Sequence, residues 1–157
     1  MEPRISNPAV QPEVFKAMQS LAEAAGLIGA APDGDLSTAF LQLLQLRASQ
    51  INGCSVCVDG HWKIARKGGE KDDRLFAVAA WRDTPYFTEA ERAALELTEA
   101  ITRLADRDDP VPDDLWAAAA KHYDEKALST LVLNAAIINV WNRVNVATKQ
   151  QAGVWSP

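Results

Sequence analysis

Two cysteines and a histidine stand close together in this sequence, at a spacing that suits thiol chemistry. Cys54, Cys57 and His61 fall within residues 54–61, CSVCVDGH. A helix turns by about 100° per residue, so Cys57 lies about 60° and His61 about 20° from Cys54 around the helix axis. All three side chains therefore share one narrow helical face. The spacing also permits a Cys54–Cys57 disulfide when Cys54 occupies the start of the helix.

Such an arrangement is typical of redox chemistry at a thiol. Only the thiolate attacks, and an unperturbed thiol has a pKa of about 8.5. The start of a helix places partial positive charge beside Cys54 and, more weakly, beside Cys57. His61 can accept or return a proton near neutral pH. Because a thiolate and a peroxide give a sulfenic acid that a second thiol condenses to a disulfide, we expect these three residues to be catalytic.

Two other interpretations of the same residues stay open. The cysteines could be buried structural thiols beside a core histidine, although Gly53 and Gly60 suit an accessible site better. They could also bind zinc, since two cysteines and one histidine supply three of the usual four tetrahedral ligands. The other histidine, His122, is far along the chain, and the sequence holds no second cluster of ligands. We therefore expect no metal and no cofactor.

Length, composition and charge restrict the class of protein. The 157 residues favour one domain, and 48% hydrophobic with 24% charged residues is the balance of an ordinary folded protein. The net charge of −5 removes the broad basic surface that nucleic-acid binding usually needs. The longest uncharged apolar stretch, 127–142, has 16 residues and includes polar ones, whereas a spanning helix needs ~20. We therefore expect no nucleic-acid or membrane partner.

The cellular location follows from the first residues and from cysteine usage. The sequence begins MEPR and lacks the basic patch and apolar run of a signal peptide. We expect a cytoplasmic protein, and in a reducing compartment a close cysteine pair is more often catalytic or metal-binding than structural.

Helices must position the thiol pair, because apolar residues recur at spacings of three and four almost throughout. Asn52-Gly53 predicts the end of one helix immediately before Cys54, and Gly68-Gly69 the end of the next. The predicted helices cover residues 14–25 (within an N-terminal helical segment, 8–30), 36–51, 54–67, 72–81, 88–104, 115–122 and 124–148. No segment alternates apolar and polar residues as strands do. The fold class is therefore all-α, a single domain (1–157) of about six to seven helices.

The last predicted helix is apolar on more than one side. Its large apolar residues spread around the helix axis: Leu131, Leu133, Ile137, Ile138 and Val140. A helix that is apolar all round must be covered on all sides, and rotational symmetry is the usual way for copies of one chain to do so. We expect a homo-oligomer.

Residues 46–61, LRASQINGCSVCVDGH, resemble the core of the alkylhydroperoxidase AhpD-like group within the carboxymuconolactone decarboxylase family. Residues 139–143, NVWNR, resemble that family's closing helix, and the resemblance runs from about 36 to 148. It implies an all-helical fold that forms trimers or hexamers. It also implies a thiol-dependent peroxidase for alkyl hydroperoxides or hydrogen peroxide. Such an enzyme needs an electron donor, for example a lipoyl protein or another dithiol carrier, and the sequence does not identify it.

The resemblance also implies a role for each residue of the thiol pair. The second cysteine of the family pattern, here Cys57, attacks the peroxide, the first, Cys54, resolves the product, and His61 relays protons. The helix-start argument alone favours Cys54 as the attacking residue, so the order of attack stays open.

One position departs from the family pattern. The pattern often has a glutamate twelve residues before the first cysteine, and this chain has Gln42 there. An amide takes no proton at neutral pH, although it can orient a histidine or a water. We expect a weakened peroxidase, or one served by another carboxylate such as Asp59 or Glu70.

Two further functions are alternatives. Gln42 favours a non-enzymatic redox-sensing helical assembly protein, in which the thiols switch conformation or partner affinity. A decarboxylase-like enzyme acting on a small molecule is the other, although that branch of the family generally lacks the CxxC pair.

Overall fold

The computed structural model describes residues 2–6, 11–27, 36–105 and 107–154. Over these ranges the chain forms seven α-helices and one 3₁₀ helix and has no strand, which confirms the expected all-α fold. The helices are α1 (Pro12–Ala24), α2 (Thr38–Asn52), α3 (Ser55–Lys67), α4 (Asp72–Ala77), the 3₁₀ helix (Val78–Asp83), α5 (Glu89–Thr102), α6 (Asp113–Ala120) and α7 (Glu125–Thr148). The outer parts of the predicted N-terminal helix, 8–10 and 28–30, lie outside the described residues.

Side-chain caps begin the three helices that build the centre of the fold. The hydroxyl of Ser37 accepts a hydrogen bond from the backbone N–H of Phe40 at the start of α2. Thr88 and Glu91 form a reciprocal capping box before α5, as their spacing suggests. The Asp124 carboxylate accepts a backbone N–H at the start of α7. Each cap satisfies a backbone group that the first helical turn leaves without a partner.

A single glycine turns the chain between α2 and α3. Gly53 closes α2 with φ 68°, in the left-handed region where a side chain would be strained. The N–H of Cys54 then donates to the carbonyl of Ser49, and α3 starts at the next residue with Cys54 as its N-cap. The thiol pair is therefore fixed at the corner of the α2–α3 hairpin.

Helix α2 lies at the centre and packs against α3, α5 and α7. Its buried side chains include polar ones, which need internal partners. The amide of Gln45 donates to Asn134 of α7 at 2.6 Å, and Asn142 of α7 donates to the Ser49 hydroxyl at 3.1 Å. At the end of α2, the Asn52 amide donates to Asn142 at 2.8 Å. These hydrogen bonds fix the register of α7 along α2.

The predicted helix through Trp81 is divided in the structure. α4 ends at Ala77 and the 3₁₀ helix continues, with Ala80 at φ −120° and ψ 32°, outside the helical region. The indole N–H of Trp81 donates to the buried Glu99 carboxylate at 3.1 Å. The residue directly after the break, Trp81, is thus held by a hydrogen bond to another helix.

One side of α7 is apolar and exposed in a single chain. Leu133 is 37% exposed and Val140, two turns further along, is 48% exposed, whereas Leu131 and Ile138 of the same helix are buried. No helix within the described ranges has the length and apolar character needed to cross a membrane.

Candidate thiol site

The structure joins the two cysteines at the start of α3. Cys54 is the N-cap and Cys57 lies in the first turn, and their sulfurs form a disulfide with the Cα atoms 5.3 Å apart. Both cysteines of the chain are used in this bond. A disulfide at the N-terminus of a helix places its sulfurs beside the partial positive charge of the unpaired backbone N–H groups. Reduction would leave two thiols in a setting that favours thiolate.

The disulfide lies where α2, α3 and α7 meet. It packs against Ala48 of α2 and Ile138 of α7, with the indole of Trp141 at the edge of this cluster. Cys54 is 1% exposed and Cys57 is 7% exposed. Of the two residues, Cys57 is therefore the one nearer to solvent.

Gln42 meets His61 directly. The Oε1 atom of Gln42 lies 2.7 Å from Nδ1 of the His61 ring. Since a carbonyl oxygen only accepts hydrogen bonds, Nδ1 carries the proton and Nε2 keeps its lone pair. The residue that replaces the family's glutamate thus orients the histidine, one of the two roles that the sequence leaves to an amide.

His61 is a neutral base at physiological pH. Part of its surface reaches solvent, yet protein surrounds the ring closely enough for burial to lower its pKa to about 4. Gln42 is uncharged and offers no compensation for this desolvation. The ring can therefore accept a proton, but its basicity is well below that of a free histidine.

A residue of α7 that the sequence did not single out contacts the thiol pair. The side-chain N–H of Asn145 donates to Sγ of Cys57 at 3.4 Å. Asn145 follows Asn142 by three residues, so both amides lie on neighbouring parts of one helix face. Periodicity identifies that face, but only the packing of α7 against α3 shows that it reaches the sulfur.

The two carboxylates considered as substitutes for the missing glutamate are engaged elsewhere. Asp59 accepts from Lys63 at 2.7 Å and from the backbone N–H of Gly153 at 3.1 Å, and these hydrogen bonds lower its pKa. Glu70 pairs with Arg74 at 2.8 Å. Each carboxylate is thus engaged by its own partners and not by His61.

An open depression of about 550 Å³ lies at the same end of α3. Gly53 and Ser55, the residues on either side of Cys54, contribute to its wall together with Val58 and Trp62. It gives a small molecule room next to the helix start. In the described part of the chain, the thiol site included, no group of three or more histidine, cysteine or acidic side chains is placed to hold a metal ion.

Comparisons with known proteins agree with this architecture. The model of the carboxymuconolactone decarboxylase family matches residues 12–100. The uncharacterized protein YdfG of Bacillus subtilis (strain 168) is 34% identical over 152 residues, which are 97% of this chain and 98% of YdfG.

Two solved structures share the fold. A protein of unknown function from Agrobacterium tumefaciens, described as a candidate antioxidant defence protein AhpD, superposes with a TM-score of 0.85 at 32% identity and covers 98% of this chain and 100% of its own. The debrominase Bmp8, in complex with 2,3,4-tribromopyrrole, has a TM-score of 0.75 at 22% identity over 92% of this chain and 73% of its own, which shows the fold alone. From the family match, the near full-length relatives and the CxxC pair at the start of α3, this chain belongs to the carboxymuconolactone decarboxylase family, in its AhpD-like group.

Proposed function

We propose that this protein is a thiol-dependent peroxidase that reduces alkyl hydroperoxides or hydrogen peroxide through the Cys54–Cys57 pair. The observation that carries the proposal is the disulfide at the start of α3 with His61 one turn further along the same helix. Membership of the AhpD-like group supports a peroxidase-related activity, and the Bmp8 fold shows that this architecture also serves other chemistry.

In the first step Cys57 attacks the peroxide. His61 accepts the thiol proton at Nε2, and the thiolate sulfur attacks one peroxide oxygen. A sulfur–oxygen bond forms while the O–O bond breaks. The leaving oxygen takes a proton from His61 and departs as an alcohol, or as water when the substrate is hydrogen peroxide. Cys57 becomes a sulfenic acid, so the sulfur has lost two electrons to the peroxide.

In the second step Cys54 resolves the sulfenic acid. Its sulfur attacks the sulfur of Cys57, the S–S bond forms, and hydroxide leaves with the Cys54 proton as water. An external dithiol, such as a lipoyl protein, then exchanges with the disulfide and supplies two electrons and two protons. Cys57 takes the attacking role here because it is the more exposed cysteine and has a hydrogen-bond donor at its sulfur.

Gln42 sets the expected rate. A ring with a pKa of about 4 holds a proton weakly, so transfer of the thiol proton to His61 is unfavourable at neutral pH. We therefore expect slow turnover compared with a site that has a carboxylate at this position.

Assembly and location complete the proposal. A homo-oligomer, as a trimer or hexamer, would cover the exposed apolar side of α7 at Leu133 and Val140. A cytoplasmic location would supply the reducing partners that the cycle needs.

Peroxidase turnover with cumene hydroperoxide and dithiothreitol tests the proposal. Cys57→Ser should abolish alcohol formation, and Cys54→Ser, assayed without dithiothreitol, should release one alcohol per chain as Cys57 is oxidised once. His61→Ala should slow the reaction, whereas His122→Ala, the matched control at the only other histidine, should not. Turnover that survives in Cys57→Ser would refute a thiol peroxidase.

A redox sensor is the second candidate, and burial of the disulfide favours it. With Cys54 and Cys57 packed between three helices, reduction could change how α3 and α7 pack. A sensor should change its oligomer size between the reduced and oxidised forms without turning over peroxide. Sedimentation of the reduced and oxidised forms distinguishes the two functions. If the mass and shape of the protein are the same in both forms, the redox-sensor function is excluded.

A further inference from the structure

Asn145 is the polar side chain of α7 that reaches the disulfide. Its Nδ2 atom lies 3.4 Å from Sγ of Cys57, an ordinary length for an N–H donor and a sulfur acceptor. The residue is half-buried, so water competes only partly for the amide. The contact is long-range in sequence, since 88 positions separate the two residues.

Two sets of hydrogen bonds fix Asn145 in place. One turn earlier, Asn142 accepts from Asn52 at 2.8 Å and donates to Ser49 at 3.1 Å, which holds α7 against the end of α2. After Asn145 the helix closes at Lys149, whose left-handed backbone lets the N–H of Gln150 donate to the Asn145 carbonyl at 3.0 Å. The backbone of Asn145 is therefore held in place, and the helix end that carries its amide stays against α3.

We infer that Asn145 is a positioning residue that stabilises the thiolate of Cys57 in the reduced protein. A disulfide sulfur is a weak acceptor, whereas a thiolate accepts a charge-assisted hydrogen bond that is shorter and stronger. The existing contact should thus strengthen when the disulfide is reduced and Cys57 loses its proton. A role of Asn145 in catalysis rests on the proposed peroxidase function, whereas its stabilisation of the Cys57 thiolate does not.

This donor separates the two cysteines chemically. Cys54 is the N-cap residue and depends on the start of α3 for stabilisation of a negative charge, whereas Cys57 has a side-chain donor as well. An amide is uncharged at every physiological pH, so it stabilises the thiolate without the proton that His61 holds so weakly. Asn145 therefore compensates in part for the low basicity of the histidine and favours Cys57 as the attacking residue.

The test measures Cys57 alone. In a Cys54→Ser background Cys57 is the only thiol, and its titration can be followed by thiolate absorbance and by the pH dependence of alkylation. Asn145→Leu, of similar size but without a donor, should raise the pKa of Cys57 by about one unit, a tenfold loss of thiolate below that pKa. Asn145→Asp should raise it further, because a carboxylate repels the thiolate.

Val146→Leu is the matched control. It alters the neighbouring, exposed position of α7 and should leave the Cys57 titration unchanged. Thermal unfolding in the Cys54→Ser background checks that each variant folds, and if Asn145→Leu does not, the isosteric Asn145→Asp variant carries the test.

The disulfide potential gives a second measurement in the protein with both cysteines. At a pH above the Cys57 pKa, Asn145→Leu should shift the thiol–disulfide equilibrium about tenfold toward the disulfide, which is about 30 mV more negative. Unchanged values of both the Cys57 pKa and the potential would overturn the inference even in an active peroxidase. A raised pKa in a protein without peroxidase activity would support the role of Asn145 and reject the proposed peroxidase.

Discussion

Gln42→Glu is the substitution that tests the logic of this site most directly. The Gln42 side chain is 5% exposed, and its oxygen lies 2.7 Å from Nδ1 of His61. A glutamate has the same shape and would place a carboxylate oxygen at the same position. A carboxylate favours the protonated ring, in opposition to the burial that lowers the pKa of His61 to about 4.

The size of the effect follows from distance and charge. An opposite charge in direct contact raises a pKa by about one to three units. The pKa of His61 should therefore move from about 4 to between roughly 5 and 7. Because the proposed mechanism has His61 accept the Cys57 proton, a more basic ring should raise peroxidase turnover near neutral pH by about tenfold or more.

Histidine ring resonances measure this change residue by residue. The chain has two histidines, so His122 gives an internal reference in the same spectrum. The His122 titration should be the same in both proteins, while that of His61 moves upward in Gln42→Glu. A shift of His61 below about half a unit would refute the assigned contact, because a charge at hydrogen-bond distance cannot have so small an effect.

Two further predictions concern stability. Burial lowers the pKa of His61 in the folded protein below its unfolded value, so the unfolded chain binds a proton at His61 more readily than the folded one. The free energy of unfolding should therefore be at its full value above about pH 6.5 and fall by about 2 kcal/mol between pH 7 and pH 5. Denaturant unfolding at both pH values checks this, and His61→Gln should remove that loss; an equal loss in the variant would contradict it. Glu99→Gln should destabilise the fold by about 2 to 4 kcal/mol, since three arginines share this buried carboxylate. Glu96→Gln, at an exposed ion pair 3.6 Å long, is the matched control and should change stability by less than about 1 kcal/mol, so equal effects would reject the argument.

Glu99 also shows how burial and charge pairing compete in this fold. Desolvation raises the pKa of a buried carboxyl, but hydrogen bonds from Arg82, Arg47 and Trp81 outweigh it and bring the pKa of Glu99 down to about 2. His61 has no such partner, and burial alone determines its pKa. Charged and hydrogen-bonding neighbours therefore oppose desolvation at Glu99, and His61 has no charged neighbour that does so.

Much of the fold was predictable because local signals specify helix ends. The Gly53 turn, the Thr88–Glu91 capping box and the helical period of α7 act within a few residues, and each is found where the sequence predicts it. The break between α4 and the 3₁₀ helix was not predicted. It accompanies the bond of Trp81 to Glu99, a partner 18 residues away.

In the site, as in the fold, the local features were predictable from the sequence and the contacts between distant residues were not. The CxxC spacing predicts a possible disulfide and the turn that carries it, because both are local to α3. The contact of Asn145 with Cys57 depends on how α7 lies across α3, which the Asn52–Asn142 hydrogen bond helps to fix. Sequence periodicity gives the face of a helix but not its height against a neighbour.

An amide at position 42 also has an advantage for the stability of the fold. It lies on α2, the central helix, where a glutamate and a protonated His61 would form a largely buried ion pair. Desolvation of two charges offsets much of their attraction, so such a pair contributes little to stability and is damaging when one partner loses its charge. The amide keeps the same hydrogen bond without placing a second charge in the interior. Faster chemistry in Gln42→Glu should come with a smaller loss of stability between pH 7 and pH 5 than in the parent protein, because the raised pKa of His61 lies closer to its unfolded value.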